Sequence, residues 1–249
     1  MVFIPGFMQH GEAWSPVAER VAPVHPTLCL GFESWTFEER LAEISAACPP
    51  RSIAVAYSMG GRLALHAAVR EPERLAGLVL VGASAGIEDV GERQSRRALD
   101  EALADWIEGR SMEEVVARWE SMPVFAGQSP AVVAAQRPGR LTHDPALLAS
   151  LLRSAGQGAL PPLWERLGAI RCPVMAVAGA GDERYAAAAR RMAELFPRGQ
   201  SRLVAGAGHA PQLERPDEFA AVLLEFLDEH LGDGSGGDLD AEAGPLGDG

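Results

Sequence analysis

Ile53-Ala54-Val55-Ala56-Tyr57-Ser58-Met59-Gly60-Gly61-Arg62-Leu63-Ala64-Leu65-His66-Ala67-Ala68-Val69 joins a short apolar run, a serine among small residues, and a helical pattern that stops before Pro72. An apolar run bounded by a small-residue turn suits a buried strand, and the segment after it carries apolar residues at helical spacing. A serine placed where a strand turns sharply into a helix exposes its hydroxyl at the strand end, beside helix N–H groups that favour developing negative charge. A second serine, in Gly82-Ala83-Ser84-Ala85-Gly86, matches G-x-S-x-G letter for letter, whereas Ser58 has Ala56 at the first position. Context separates the two, because Ser84 is followed by the loop-like Gly86-Ile87-Glu88-Asp89-Val90-Gly91. Ser58 is the expected nucleophile or base, and Ser84 a loop residue.

Similar short runs recur on both sides. Val2-Phe3-Ile4, Thr27-Leu28-Cys29-Leu30, Leu78-Val79-Leu80-Val81, Val174-Met175-Ala176-Val177 and Arg202-Leu203-Val204 each end at a turn of small residues. Helical patterns lie between them, and this alternation predicts an α/β domain with a mostly parallel sheet covered on both faces. Residues 86–167 break the rhythm. Ser111-Met112-Glu113-Glu114 is a capping-box pattern, while Ser129-Pro130 and Asp144-Pro145 put a cap before a proline at the first helical position. Leu99, Leu103, Trp106 and Ile107 recur at helical spacing. The expected organisation is therefore a core from residues 1–85 and 168–231, an inserted helical cap over 86–167, and a disordered acidic tail over 232–249.

A serine hydroxyl is a weak base until a histidine takes its proton and a carboxylate orients that histidine. After the Val174 run comes Gly179-Ala180-Gly181-Asp182-Glu183-Arg184, and after the Leu203 run comes Gly206-Ala207-Gly208-His209. Both candidates fall at strand ends, where open α/β sheets place their sites. Asp182 and His209 are the expected partners of Ser58, with Glu183 the rival carboxylate; the blander readings are a helix cap for Asp182 and a surface loop for His209. Pro5-Gly6-Phe7 follows the first run, so the N–H groups of Phe7 and Met59 are the expected pair of oxyanion donors.

Composition narrows the function. The chain has 249 residues and a formal charge of −12, with 22 basic residues that are all arginine. An acidic chain without a basic run suits neither a phosphate backbone nor an anionic membrane surface. The absence of lysine excludes a Schiff base and a P-loop lysine. Cys29, Cys48 and Cys172 have no CxxC spacing and read as reduced thiols, which points to the cytoplasm. No metal-ligand cluster or dinucleotide fingerprint appears, so neither a metal nor a cofactor is expected. Five acids and no base lie in residues 232–249, leaving about −7 on the remainder.

Taken together, residues 1–231 resemble the α/β-hydrolase superfamily. Within it, Tyr57-Ser58-Met59-Gly60-Gly61-Arg62 is similar to the elbow of the 2-succinyl-6-hydroxy-2,4-cyclohexadiene-1-carboxylate synthases. Gly86-Ile87, Glu92-Arg93, Arg96, Asp100, Leu103-Ala104, Trp119 and Pro123-Val124-Phe125 follow that family's order, Arg140 resembles its later cap arginine, and Asp182-Glu183-Arg184-Tyr185 resembles its Asp-x-Lys-Phe pattern. The departures are Pro5-Gly6 for His-Gly, Ala56 for the first elbow glycine, and no Asp-x-x-Gly-His-Gly loop near Gly31–Trp35. The family also has two strands ahead of the oxyanion strand, so the sheet is expected to be shortened at that edge.

The resemblance implies a carbon–oxygen lyase of menaquinone biosynthesis that eliminates pyruvate from a cyclohexene carrying several carboxylates. Ser58, His209 and Asp182 would form the proton-abstracting base, and Phe7 and Met59 the oxyanion hole. Arg62, Arg96 and Arg140 would bind the carboxylates of a small anionic substrate, with Tyr57 and Trp119 shaping the pocket. Each has a structural alternative: a helix-surface pair of Arg96 with Asp100, a brace to the cap for Arg62, replacement of Arg140 by Arg137, and a cap core of Trp119 with Phe125. The same three catalytic residues also suit a serine hydrolase of esters, thioesters or carbon–carbon bonds. A non-catalytic receptor on the same fold is a third reading, against which the intact Ser-His-Asp set argues.

Overall fold

In the computed structural model, residues 1–231 are described; the expected tail lies outside them. The elements run β1 (Val2–Ile4), α1 (Ser15–Val21), β2 (Leu28–Cys29), α2 (Phe37–Ala47), β3 (Ser52–Tyr57), α3 (Met59–Arg70) and β4 (Leu75–Val81). Four helices follow: α4 (Val90–Glu108), α5 (Met112–Glu120), α6 (Pro130–Leu141) and α7 (Pro145–Ala155). The chain closes with β5 (Val174–Gly179), α8 (Glu183–Leu195), β6 (Gly199–Val204), α9 (Pro211–Glu214) and α10 (Pro216–Leu231).

The six strands form one sheet in the order β2-β1-β3-β4-β5-β6, with every pairing parallel. This is the α/β architecture expected, and its layers follow from the period of two along each strand. Val2, Ile4, Ala54, Ala56, Leu78, Leu80, Val174 and Ala176 face one apolar cluster with α2, α3, α7 and α8. Phe3, Val55, Tyr57, Val79, Val81, Met175 and Val177 face the other, closed by Trp14 and Val17 near the N-terminus and by Phe219, Leu223 and Phe226 of α10. With both faces covered, the central strands can be apolar throughout, and each fully buried large side chain contributes about 1.5–3 kcal/mol. The sheet ends on one side at β2, only two residues long, whose Leu28 is half exposed. A strand this short leaves little edge to pair with another chain.

The turn after β3 needs close approach between backbone segments. A Cβ on Gly60 would lie 2.3 Å from the Pro5 carbonyl oxygen, and one on Gly61 would lie 2.6 Å from the Ala83 Cβ. A Cβ on Gly61 would also press on the backbone oxygen of Ala56, where the resembling family has glycine, at 3.1 Å. Between β4 and β5 the helices start as their caps dictate. Asp89, Ser111, Ser129 and Asp144 each accept from an N–H of the first turn, and Ser111 with Glu114 forms a full capping box. Arg153 of α7 ties that helix to Glu101, Asp105 and Glu108 of α4. None of the described helices is long and apolar enough to cross a membrane.

Gly60→Ala should destabilise the fold by about 1–3 kcal/mol, since the methyl has no space; equal denaturant midpoints for variant and wild type would contradict the close contact. His66 and His143 are buried, and burial, as the largest cause, pushes each from 6.5 down to about 4. The unfolded chain binds protons that these imidazoles refuse, so stability present above pH 6.5 is lost as pH falls from there toward 4. Thermal melts across that window should show the loss, and His66→Leu should make it shallower; an unchanged slope refutes the assignment.

Candidate active site

Ser58 sits between β3 and α3 at φ 50°, ψ −112°, a left-handed backbone for a non-glycine residue. Its N–H donates to the Val81 oxygen at 2.8 Å, which anchors the turn to β4. Its hydroxyl makes no capping bond to α3 and reaches His209 Nε2 at 3.2 Å. His209 Nδ1–H donates to Asp182 Oδ2 at 2.8 Å, which leaves Nε2 as the acceptor for the Ser58 proton. Asp182 is also the N-cap of α8, because its Oδ1 accepts from the Tyr185 N–H at 3.2 Å. Asp182 thus caps α8 through one oxygen and accepts from the imidazole through the other. Glu183, the rival, is exposed at the start of α8. His209 is 5% exposed, with the Tyr185 ring 4.6 Å and the Tyr57 ring 5.5 Å from its own.

The Phe7 and Met59 N–H groups make no hydrogen bond to another of the described residues. Met59 opens α3, so its N–H is one of the helix's orphan donors and lies at the positive end of the dipole. Beside Phe7, the Gly6 N–H donates to Gln9 Oε1 at 3.2 Å, and a Cβ on Gly6 would lie 2.7 Å from the Tyr57 ring. That contact gives a reason for Gly6 that does not involve the preceding residue, which is proline here.

A cavity of about 600 Å³ opens over this site, and all ten residues expected from the sequence line it: Ser58, Asp182, His209, Phe7, Met59, Tyr57, Arg62, Arg96, Trp119 and Arg140. The three arginines differ in what they already hold. Arg62 is 8% exposed and makes no side-chain hydrogen bond or ion pair to the described residues; its Nε is a buried orphan. Burial lowers its pKa from the ordinary arginine value. Arg96 donates from Nε to Asp100 at 2.8 Å and from Nη1 to Gln157 at 2.6 Å. Arg140 donates from Nη1 to Glu120 at 3.1 Å, with Nε left unpartnered, and Arg137 shares the same carboxylate. Trp119 packs on Phe7 and Phe125 at 5.2 and 5.3 Å while also facing the cavity. Tyr57 is 3% exposed, and burial raises its phenol well above the usual range.

Two cations that sequence reasoning did not select also line the cavity. Arg118 lies over the Trp106 ring at 4.3 Å, and Arg184 follows Asp182 in α8. Both are exposed, and neither pairs with a carboxylate among the described residues. Ser84 stands apart from this group, beyond Gln157, whose Nε2 lies 3.5 Å from its hydroxyl. Among the described residues no cluster of three or more His, Cys, Asp or Glu could hold a metal ion. The arrangement sets the His209 imidazole between the Ser58 hydroxyl and Asp182, with guanidinium groups lining the same cavity.

A parallel sheet with a serine elbow after β3, and acid and histidine after β5 and β6, defines a class. The chain belongs to the α/β-hydrolase family, whose family model matches residues 1–222. A 2-succinyl-6-hydroxy-2,4-cyclohexadiene-1-carboxylate synthase of Serratia proteamaculans (strain 568) is 30% identical over 241 residues, 91% of this chain and 92% of that protein. A Bacillus subtilis (strain 168) protein whose description carries the same synthase name is 36% identical over 176 residues, 70% of this chain; the match spans 64% of that relative's length. MenH from S. aureus has the same fold at a TM-score of 0.85 and 28% identity, covering 92% of this chain and 93% of its own. Within the α/β-hydrolase-fold enzymes the chain therefore belongs with the 2-succinyl-6-hydroxy-2,4-cyclohexadiene-1-carboxylate synthases.

The geometry separates the two serines experimentally. A fluorophosphonate probe should label wild type and Ser84→Ala at the same rate and should not label Ser58→Ala. Labelling that survives in Ser58→Ala and is lost in Ser84→Ala would place the reactive serine in the wrong turn.

Proposed function

We propose that the chain is a carbon–oxygen lyase that eliminates pyruvate from a multi-carboxylate cyclohexene intermediate and leaves the cyclohexadiene its synthase relatives are named for. The observation that carries this reading is Arg62, a buried guanidinium facing the cavity without a carboxylate partner, four residues beyond Ser58. A buried cation without a partner is costly, and an anionic substrate supplies what the fold leaves out. Guanidinium forks bind carboxylates in a bidentate manner and keep their charge at any working pH.

In this proposal His209 Nε2 takes the Ser58 proton as Ser58 Oγ removes a ring proton, and Asp182 holds the imidazole while it is charged. The electrons of the broken C–H bond move into the ring system, and the N–H groups of Phe7 and Met59 hold the enolate-like oxygen. The ring C–O bond then breaks, the leaving group departs as pyruvate after taking up one proton, and no other reactant is needed. Arg96 and Arg140, braced by Asp100 with Gln157 and by Glu120, present their remaining N–H groups to further carboxylates. Helices α4 to α7 act as the cap over 86–167 that carries these arginines and Trp119. Arg118 and Arg184, exposed at the cavity, attract the anion toward a chain that is otherwise acidic.

Purified protein given the pathway intermediate should release pyruvate, Ser58→Ala should not, and p-nitrophenyl esters should turn over slowly; ester turnover without pyruvate would instead establish the hydrolase reading. Arg62→Gln should lose about 1.5–3 kcal/mol in kcat/KM, and an unchanged value returns Arg62 to bracing the cap. Arg118→Gln and Arg184→Gln should lower kcat/KM at low salt and flatten its fall with ionic strength, because exposed charges act within a Debye length of about 8 Å at physiological salt. A salt dependence identical to wild type would remove both from substrate capture.

A further inference from the structure

Glu214 closes α9, five residues past His209, and stands outside the cavity lining. Its two carboxylate oxygens accept from the N–H groups on either side of the histidine: Gly208 N–H to Oε2 at 2.6 Å and Ala210 N–H to Oε1 at 3.0 Å. Its own N–H donates to the Ala210 oxygen at 2.9 Å, so the contact with Ala210 is made in both directions. The next segment upstream is fixed separately, by Gly181 N–H to the Ala207 oxygen at 2.9 Å. His209 thus hangs on a loop whose two adjacent peptides have one shared acceptor. Burying two N–H donors without an acceptor is expensive, so without that carboxylate the loop would turn to satisfy them. Turning the loop moves the imidazole off the line between Ser58 Oγ and Asp182 Oδ2.

We propose that Glu214 is a positioning residue, setting the backbone of His209 so that one ring bridges Ser58 at 3.2 Å and Asp182 at 2.8 Å. Asp182 fixes the tautomer and the rotation of the ring; Glu214 fixes where the ring is hung. The buried Tyr57 phenol, its ring 5.5 Å from that of His209, has its pKa raised by burial first and, among smaller causes, by the Glu214 charge. The proposal rests on the serine–histidine–aspartate base and holds for a lyase or a hydrolase alike.

The competing role is a cap of α9 alone, which would lower stability and leave each folded molecule fully active. Glu214→Ala and Glu214→Gln separate the two. If Glu214 positions His209, kcat falls about 10²-fold in Glu214→Ala and by less in Glu214→Gln, which keeps one acceptor, while KM stays at its wild-type value. Labelling of Ser58 by a fluorophosphonate slows in the same order, and the downfield proton resonance of the His209 Nδ1–H···Asp182 bond weakens in folded protein. If Glu214→Ala does not fold, Glu214→Gln, of nearly the same volume, carries the comparison. Wild-type labelling rate and an unchanged downfield proton in a folded Glu214 variant would overturn the proposal. Neither readout needs the lyase substrate, so a wild-type protein that labels normally and releases no pyruvate refutes the reaction assignment instead.

Discussion

The backbone of Ser58 is held in the left-handed region, where a side chain costs about 1–3 kcal/mol, and most of the site depends on that turn staying in place. It stays because its surroundings leave no alternative. The Ser58 N–H is tied to β4, and α3 comes so close to β1 and the β4 end that Gly60 and Gly61 have no room for a methyl. The same geometry frees the hydroxyl from capping duty, aims it at His209, and sets the first N–H of α3 beside it. The parallel order of the sheet then matters, since β3, β4 and β5 sit side by side and end at the same edge. Asp182 and His209, which follow β5 and β6, arrive there from the far side of β4.

Charge is the second organising feature. The chain is strongly acidic, yet its cavity is lined by five arginines, of which Arg96 and Arg140 are matched by acids of the fold. Acids behind Arg96 and Arg140 hold those side chains in place, whereas Arg62 has no such partner among the described residues and, in the proposed function, meets a substrate carboxylate. Under the proposed function, such a site binds its anionic substrate by geometry at the floor and by long-range attraction at the rim.

Much of this was legible in the sequence. The six apolar runs became the six strands because buried parallel strands need no polar face, and the strand–serine–helix context chose Ser58 over a better letter match at Ser84. Boundaries were less clear at the edges. β2 covers only Leu28–Cys29, and β6 begins at Gly199, three residues before the apolar part, because edge strands can pair through polar residues such as Gln200 and Ser201. Asp182 and His209 were legible from chain order. The partners of Arg96 and Arg140 were less so: Glu120 and Gln157 are distant in sequence, and only the i, i+4 pair with Asp100 leaves a local trace. Arg184 fell within the Asp-x-Lys-Phe resemblance but carried no charge role there, while Arg118 and Glu214 gave no signal, since an arginine on a charged helix and a glutamate before Arg215-Pro216 look like ordinary surface until the fold is closed.

In the proposed reaction Ser58 works with His209 as a base, removing a proton without forming a lasting bond to the substrate. Intact-mass spectrometry of protein acid-quenched during turnover of the cyclohexene intermediate tests it most directly. Proton removal alone lets pyruvate accumulate while every molecule of enzyme keeps its unmodified mass. A mass increase that appears with the burst of product and disappears in Ser58→Ala would show a covalent intermediate on that serine and contradict it.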